Sequence, residues 1–119
     1  MGVTAIKAIL NRTDKMIEFR KREDSKDTIS LDPDQGQVVN VDIPWCDNQK
    51  DFDTKAIEIK FLNTETTLYI WQSNGKVRYS FDGWNPNGSA VFGTAHEDGG
   101  RLLTIRKDLT PQCDLNTDS

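Results

Sequence analysis

The segment Tyr79-Ser80-Phe81-Asp82-Gly83-Trp84-Asn85-Pro86-Asn87-Gly88 concentrates the chemistry of this chain. An aromatic face suits the apolar side of a pyranose, and fixed amides or a carboxylate suit its hydroxyls. Trp84 is therefore the candidate stacking residue, with Asp82, Asn85 and Asn87 as candidate hydrogen-bonding groups. The competing expectation is a structured loop whose Trp84 closes one end of the fold. Trp71 lies out of phase with Leu68 and Ile70, so it and Tyr69 are expected on the outer face of their strand. With Tyr79 across a hairpin they would form an aromatic patch, a mark of a ligand or partner surface. The alternative is a cross-strand cluster, or a sheet covered on both sides. Trp45, in Ile43-Pro44-Trp45-Cys46-Asp47, is either an anchor at the rim or a lid over the core edge.

Other chemistries find less support. Asp32 and Asp34 with Asp42, and Asp47, Asp51 and Asp53, are acids spaced as calcium ligands often are. Neither group has the glycine and distal glutamate of an EF-hand loop, so solvated turn acids are expected instead. Cys46, Cys113 and the single His96 lack the spacing of a metal site. Two cysteines do not make a disulfide framework, and the sequence leaves their pairing open. His96 has no evident nucleophile to serve, and no Gly-x-Ser-x-Gly elbow is present. Paired carboxylates of the glycosidase kind remain open, because acids are abundant. The expectation is a protein that is not an enzyme and holds no metal or cofactor.

Net charge is -4, which argues against nucleic acid and against anionic membranes as partners. The basic run Arg20-Lys21-Arg22 is followed at once by Glu23 and Asp24 and reads as a solvated strand end. The start of the chain shows no signal-like segment, so a cytoplasmic protein is expected. No stretch approaches the length of a membrane helix. Asn11-Arg12-Thr13 and Asn87-Gly88-Ser89 fit the glycosylation pattern, which matters only for a secreted protein.

The elements that would hold these residues are strands. Ile57, Ile59 and Phe61 alternate with Glu58 and Lys60; Val39, Val41 and Ile43 alternate with Val38, Asn40 and Asp42. Ile17 and Phe19 alternate with Glu18 and Arg20, and Leu103 and Ile105 with Thr104 and Arg106. Residues 4–10 are expected to send Ile6, Ala8 and Leu10 to one side. Asn74-Gly75 supplies the positive φ values of a type I′ hairpin turn between Trp71 and Val77. Asp32-Pro33-Asp34-Gln35-Gly36 is a second turn, with Gly36 free to take positive φ. No segment shows a helical period with caps. The expected fold is an all-β, antiparallel β-sandwich of about eight short strands, with a barrel second. It would form one domain over 1–109, followed by a loosely ordered polar tail over 110–119 apart from any anchoring at Cys113.

In general outline this pattern resembles several small single-sandwich groups. The features are an opening strand, Asn11-Arg12-Thr13, a second strand, and the later Pro44-Trp45-Cys46 and Trp84-Asn85-Pro86. Fungal fruit-body lectins and aegerolysin-type or actinoporin-type membrane-binding proteins share that outline. It carries over no site residue. The functional expectation is a lectin-like binding module for a glycan. The alternatives are a component that binds lipid headgroups and a domain that associates with itself or with a partner protein.

Overall fold

Alternating apolar residues make half-buried strands, and two such sheets bury their apolar faces against each other. The computed structural model describes residues 4–21, 24–73, 76–81, 83–85, 88–93 and 99–115. Among them the order is β1 (Thr4–Asn11), β2 (Ile17–Lys21), β3 (Asp24–Leu31), β4 (Gly36–Asp42), α1 (Gln49–Lys55) and β5 (Ile57–Phe61). There follow β6 (Thr67–Ser73), β7 (Lys76–Ser80), β8 (Ser89–Ala90), β9 (Phe92–Gly93), β10 (Gly99–Ile105) and β11 (Pro111–Leu115). One sheet has the order β4-β1-β10-β11-β9, the other β3-β2-β5-β6-β7-β8. Neither sheet closes on itself, and the fold is the expected all-β sandwich.

One core joins the sheets. Ile6, Ile9, Leu103, Ile105 and Cys113 come from the first sheet. Ile17, Phe19, Ile57, Ile59, Phe61, Leu68, Ile70 and Val77 come from the second, all buried. The buried residues of β2, β5, β6 and β10 are those that alternation assigns to the inside, and β1 is an instructive exception. The register of β1 slips between Ile6 and Ala8 against both neighbours. The extra residue shifts the phase, so Ile9 and not Ala8 follows Ile6 into the core.

Several elements depart from expectation. The first sheet is mixed, because β1 pairs with β10 and β11 with β9 in parallel. Strands β8 and β9 have two residues each, too few to show a period. The segment read as a polar tail contains β11, which pairs antiparallel with β10 and buries Cys113. A helix, α1, occupies a stretch that shows no helical period. Positive φ in the 32–36 turn falls on Asp34, at 63°, and not on Gly36. Gly36 is small for another reason: an added Cβ would lie 3.2 Å from the Ile9 carbonyl oxygen. The Asn74-Gly75 turn lies outside the described residues, although Ser73 pairs with Lys76 in the hairpin that flanks it. Arg22, Asp82, Pro86, Asn87 and His96 also lie outside them.

Asn11 knits three loops at one end of the sandwich. It is fully buried. Its Nδ2 donates to the carbonyls of Lys15 (2.8 Å) and Leu31 (3.1 Å), and its Oδ1 accepts from the Thr13 amide at 3.0 Å. The Thr13 hydroxyl stands 2.7 Å from that Oδ1 and 2.9 Å from the Lys15 carbonyl, so one of the two takes its single proton. The Asn11 main chain bonds Gln35 and Asp34, and the next amide, of Arg12, reaches Ile105. The folded chain therefore offers no glycosylation acceptor at Asn11.

The turn after β10 is built on unequal terms. Leu109 has φ 74°, a conformation that costs an L-residue about 1–2 kcal/mol, yet it packs against the core. Arg106 Nε and Nη2 donate to the Thr110 hydroxyl, which donates in turn to Asp108. The hydroxyl and amide of Thr110 hold the Asp108 carboxyl below its ordinary value of 3.8.

Two outcomes are expected. Asn11→Ala strands several buried partners at once and should lower the unfolding free energy by about 2–4 kcal/mol in urea titrations. Asp108 should titrate below 3.8 by carboxyl NMR, and Thr110→Val should move it back up. A depressed folded pKa contributes stability above the unfolded value and loses it as pH falls through the folded one. Any effect on stability therefore belongs to the acid side of 3.8.

Candidate functional site

The outer face of the second sheet divides in two. Over β6 and β7 it is covered, and over β3, β2 and β5 it is open and charged. The cover begins where β5 stops: Ile57 pairs with Ile70, and beyond that β6 lacks a neighbour on that side. Residues 44–46 take the vacant place. The Gln72 amide donates to the Pro44 carbonyl (2.7 Å), and the Cys46 amide to the Gln72 carbonyl (2.9 Å). The Gln72 side chain adds a bond to the Ile43 carbonyl at 2.8 Å.

Helix α1 follows directly. Asn48 caps it, with Oδ1 accepting from the Asp51 amide at 2.9 Å, and Asp51 accepts from the Asp47 amide at 3.3 Å. Gln49 donates to Asp53 at 2.7 Å. The acids weighed as calcium ligands at 47, 51 and 53 thus start and line a helix, where negative charge near the N-terminus is favourable. Among the described residues no group of three His, Cys, Asp or Glu side chains is arranged to hold a metal ion. Phe52 is the helix's buried residue, and it carries the helix onto the sheet.

Phe52 meets an aromatic cluster. Its ring centroid lies 5.2 Å from Trp71, edge-on, and 5.2 Å from Tyr69. Trp84 completes the group at 5.8 Å from both Phe52 and Trp71. Cys46 and Ala56 fill the space between. Cys46 is buried here while Cys113 is buried in the main core, and neither forms a disulfide.

The loop bearing Trp84 is clamped at Gly88. A Cβ there would lie 3.1 Å from Trp71 Cη2 and Cζ2 and from the Tyr79 carbonyl oxygen. Arg78 ties the strand to the loop, donating from Nε to the Ser73 carbonyl (2.9 Å) and from Nη1 to the Gly88 carbonyl (2.8 Å). The Gly88 amide donates to the Asn85 carbonyl at 2.9 Å.

The candidate residues are thereby sorted. Trp71 has no accessible surface, and its Nε1 donates to Ser73 Oγ at 3.0 Å, so it lines no open patch. Tyr79 is not beside it: Trp71 pairs with Arg78, whereas Tyr79 pairs with Ile70 and points to the sandwich interior. The patch of Trp71, Tyr69 and Tyr79 does not form, because one register step reverses the face. Trp84 is half-buried, with Phe52 and Trp71 against it, and its neighbour Asn85 is exposed. Asp82 and Asn87 lie outside the described residues. Trp45 is half-buried and pairs with Gln72.

Sequence reasoning missed the open half of the face. Glu18, Arg20, Thr28, Glu58 and Lys60 line a groove of about 100 Å³. Glu58, with only 8% of its side chain exposed, bonds Arg20 at 2.8 Å, and Lys60 stands 3.7 Å away. Arg20 is directly opposite Glu58 in register, a pairing that strand order alone reveals. The acids and bases here neutralise one another. No helix among the described residues is long and apolar enough to cross a membrane.

Comparison with protein families, with curated proteins and with solved structures finds no match for this chain.

Gly88→Ala should push the loop off Trp71 and lower stability by about 1–3 kcal/mol. The measurement is the melting temperature together with tryptophan emission, which should shift to the red as Trp84 gains water.

Proposed function

We propose that this chain is a non-enzymatic binding module that takes a neutral carbohydrate on Trp84. The observation that carries the reading is the setting of that indole. It is half-exposed, and the part turned inward rests on Phe52 and Trp71. An aromatic side chain already held in place loses little freedom when a ligand stacks on it, which favours binding. Exposed Asn85 supplies a donor and an acceptor beside it, as hydroxyl recognition requires. Asp82 and Asn87 belong to the same reading by their nearness in sequence. The net charge of -4 favours neutral over acidic glycans.

The test is a screen of neutral oligosaccharides by calorimetry, followed by variants. Trp84→Ala should weaken binding about tenfold or more, and Asn85→Ala several-fold with an unchanged melting curve. Wild-type affinity in Trp84→Ala, or the absence of any sugar ligand, sinks the proposal. Flotation with neutral-lipid vesicles abolished by Trp84→Ala would reassign the same indole to a lipid surface.

A further inference from the structure

The sandwich has four sheet edges, and three are blunted. Strands β8 and β9, at one edge of each sheet, have two residues each. Edge strand β3 is out of register with β2 between Phe19 and Lys21. Short edges, charges and bulges are the usual means of preventing strand addition.

Strand β4 is different. It runs for seven residues, Gly-Gln-Val-Val-Asn-Val-Asp, with no lysine, arginine or proline. It pairs with β1 on one side and, among the described residues, with no strand on the other. Gly36, Gln37, Val38, Asn40 and Asp42 are exposed, and Val38 is 83% exposed. Its only ionised side chain is Asp42, at its end, and Asp32 and Asp34 stand just before its start, all three exposed. Arg12 lies 3.8 Å from Asp34, while Asp32 and Asp42 make no ion pair among the described residues. Lys7, on the neighbouring strand, is engaged by Asn40.

The free edge is therefore β-branched in the middle and acidic at both ends. That pattern selects its partner. In two-fold antiparallel pairing of β4 with a second copy about Val39, Asp42 falls opposite Gly36, two residues from the other copy's Asp34. Like charges would meet twice. We propose that the β4 edge receives an extended segment of another polypeptide, β-branched at its centre and carrying Lys or Arg at both ends. Main-chain bonds would provide the affinity and the terminal charges the choice of partner.

The test titrates the ¹⁵N-labelled full chain with the capped peptide Lys-Val-Thr-Val-Thr-Val-Lys. A second titration uses its glutamate-ended counterpart. Amide shifts confined to residues 36–42 and their β1 partners are expected, with the glutamate peptide about tenfold weaker. Asp42→Lys, at an exposed position, should weaken the lysine peptide several-fold and strengthen the glutamate one. Equal affinity for both peptides, or shifts away from β4, overturns the proposal. So does concentration-dependent broadening of the β4 amides without peptide, which would assign the edge to a second copy.

Discussion

Strand β6 has no face turned to water along most of its length, and the rest of the structure is arranged around that constraint. Leu68 and Ile70 point into the space between the sheets, while Trp71 and Ser73 are buried on the other side. A strand of a two-sheet sandwich normally keeps one face wet. Here the second face needs its own cover, and the chain provides it from three directions. Residues 44–46 extend the sheet beside Gln72, α1 lays Phe52 across Trp71, and the loop around Gly88 closes the far side. A seven-residue helix would not persist alone in water. It persists because burying Phe52 and the indole of Trp71 stabilises the cover by about 1.5–3 kcal/mol for each side chain. The exposed part of Trp84 is the residue of this arrangement, an indole only partly enclosed by the structure that fixes it.

The two halves of the second sheet show what covering does to charge. Arg20, Glu58 and Lys60 lie on the uncovered half, where the charges pair with one another: buried Glu58 accepts from Arg20 at 2.8 Å and stands 3.7 Å from Lys60. On the covered half each polar group is bonded: Trp71 Nε1 donates to Ser73 Oγ, and the Arg78 guanidinium donates to the Ser73 and Gly88 carbonyls. Asn11 follows the same rule at the end of the sandwich. Among the described residues no buried side-chain nitrogen or oxygen lacks a hydrogen bond.

Much of the fold was legible because period-2 alternation is a direct image of burial. Ile57, Ile59 and Phe61 read correctly, as did Ile17 with Phe19 and Leu103 with Ile105. Failure came wherever the period broke. The irregularity after Ile6 moved Ile9 inward and Ala8 outward, and nothing in the local sequence marks it. Helix α1 has one apolar residue within it, so it shows no stripe, although Asn48 followed three places later by Asp51 was a readable cap. Tyr79 does not join Trp71 because counting back from the Ser73–Lys76 pair sets it against Ile70, on the opposite face. Parallel pairing of β1 with β10 is a long-range fact that no local pattern carries. The candidate site was legible in part. Trp84 and Asn85 stood out by type, but the burial of Trp71 depends on a helix and a segment that the sequence did not announce.

That parallel pairing also dictates an order of events. Thr4 lies beside Gly99 and Asn11 beside Ile105, with the whole second sheet contained in the connection between them. A chain made from its N-terminus presents β1 early, and of its two partners only β4 follows soon. The other edge of β1 must wait for β10, which follows the entire second sheet in the chain. Contacts so distant in sequence are entropically costly to close and slow to form. The interval before β10 arrives is when β1 is most exposed to pairing with the wrong strand, and closure of the first sheet is paced by that arrival.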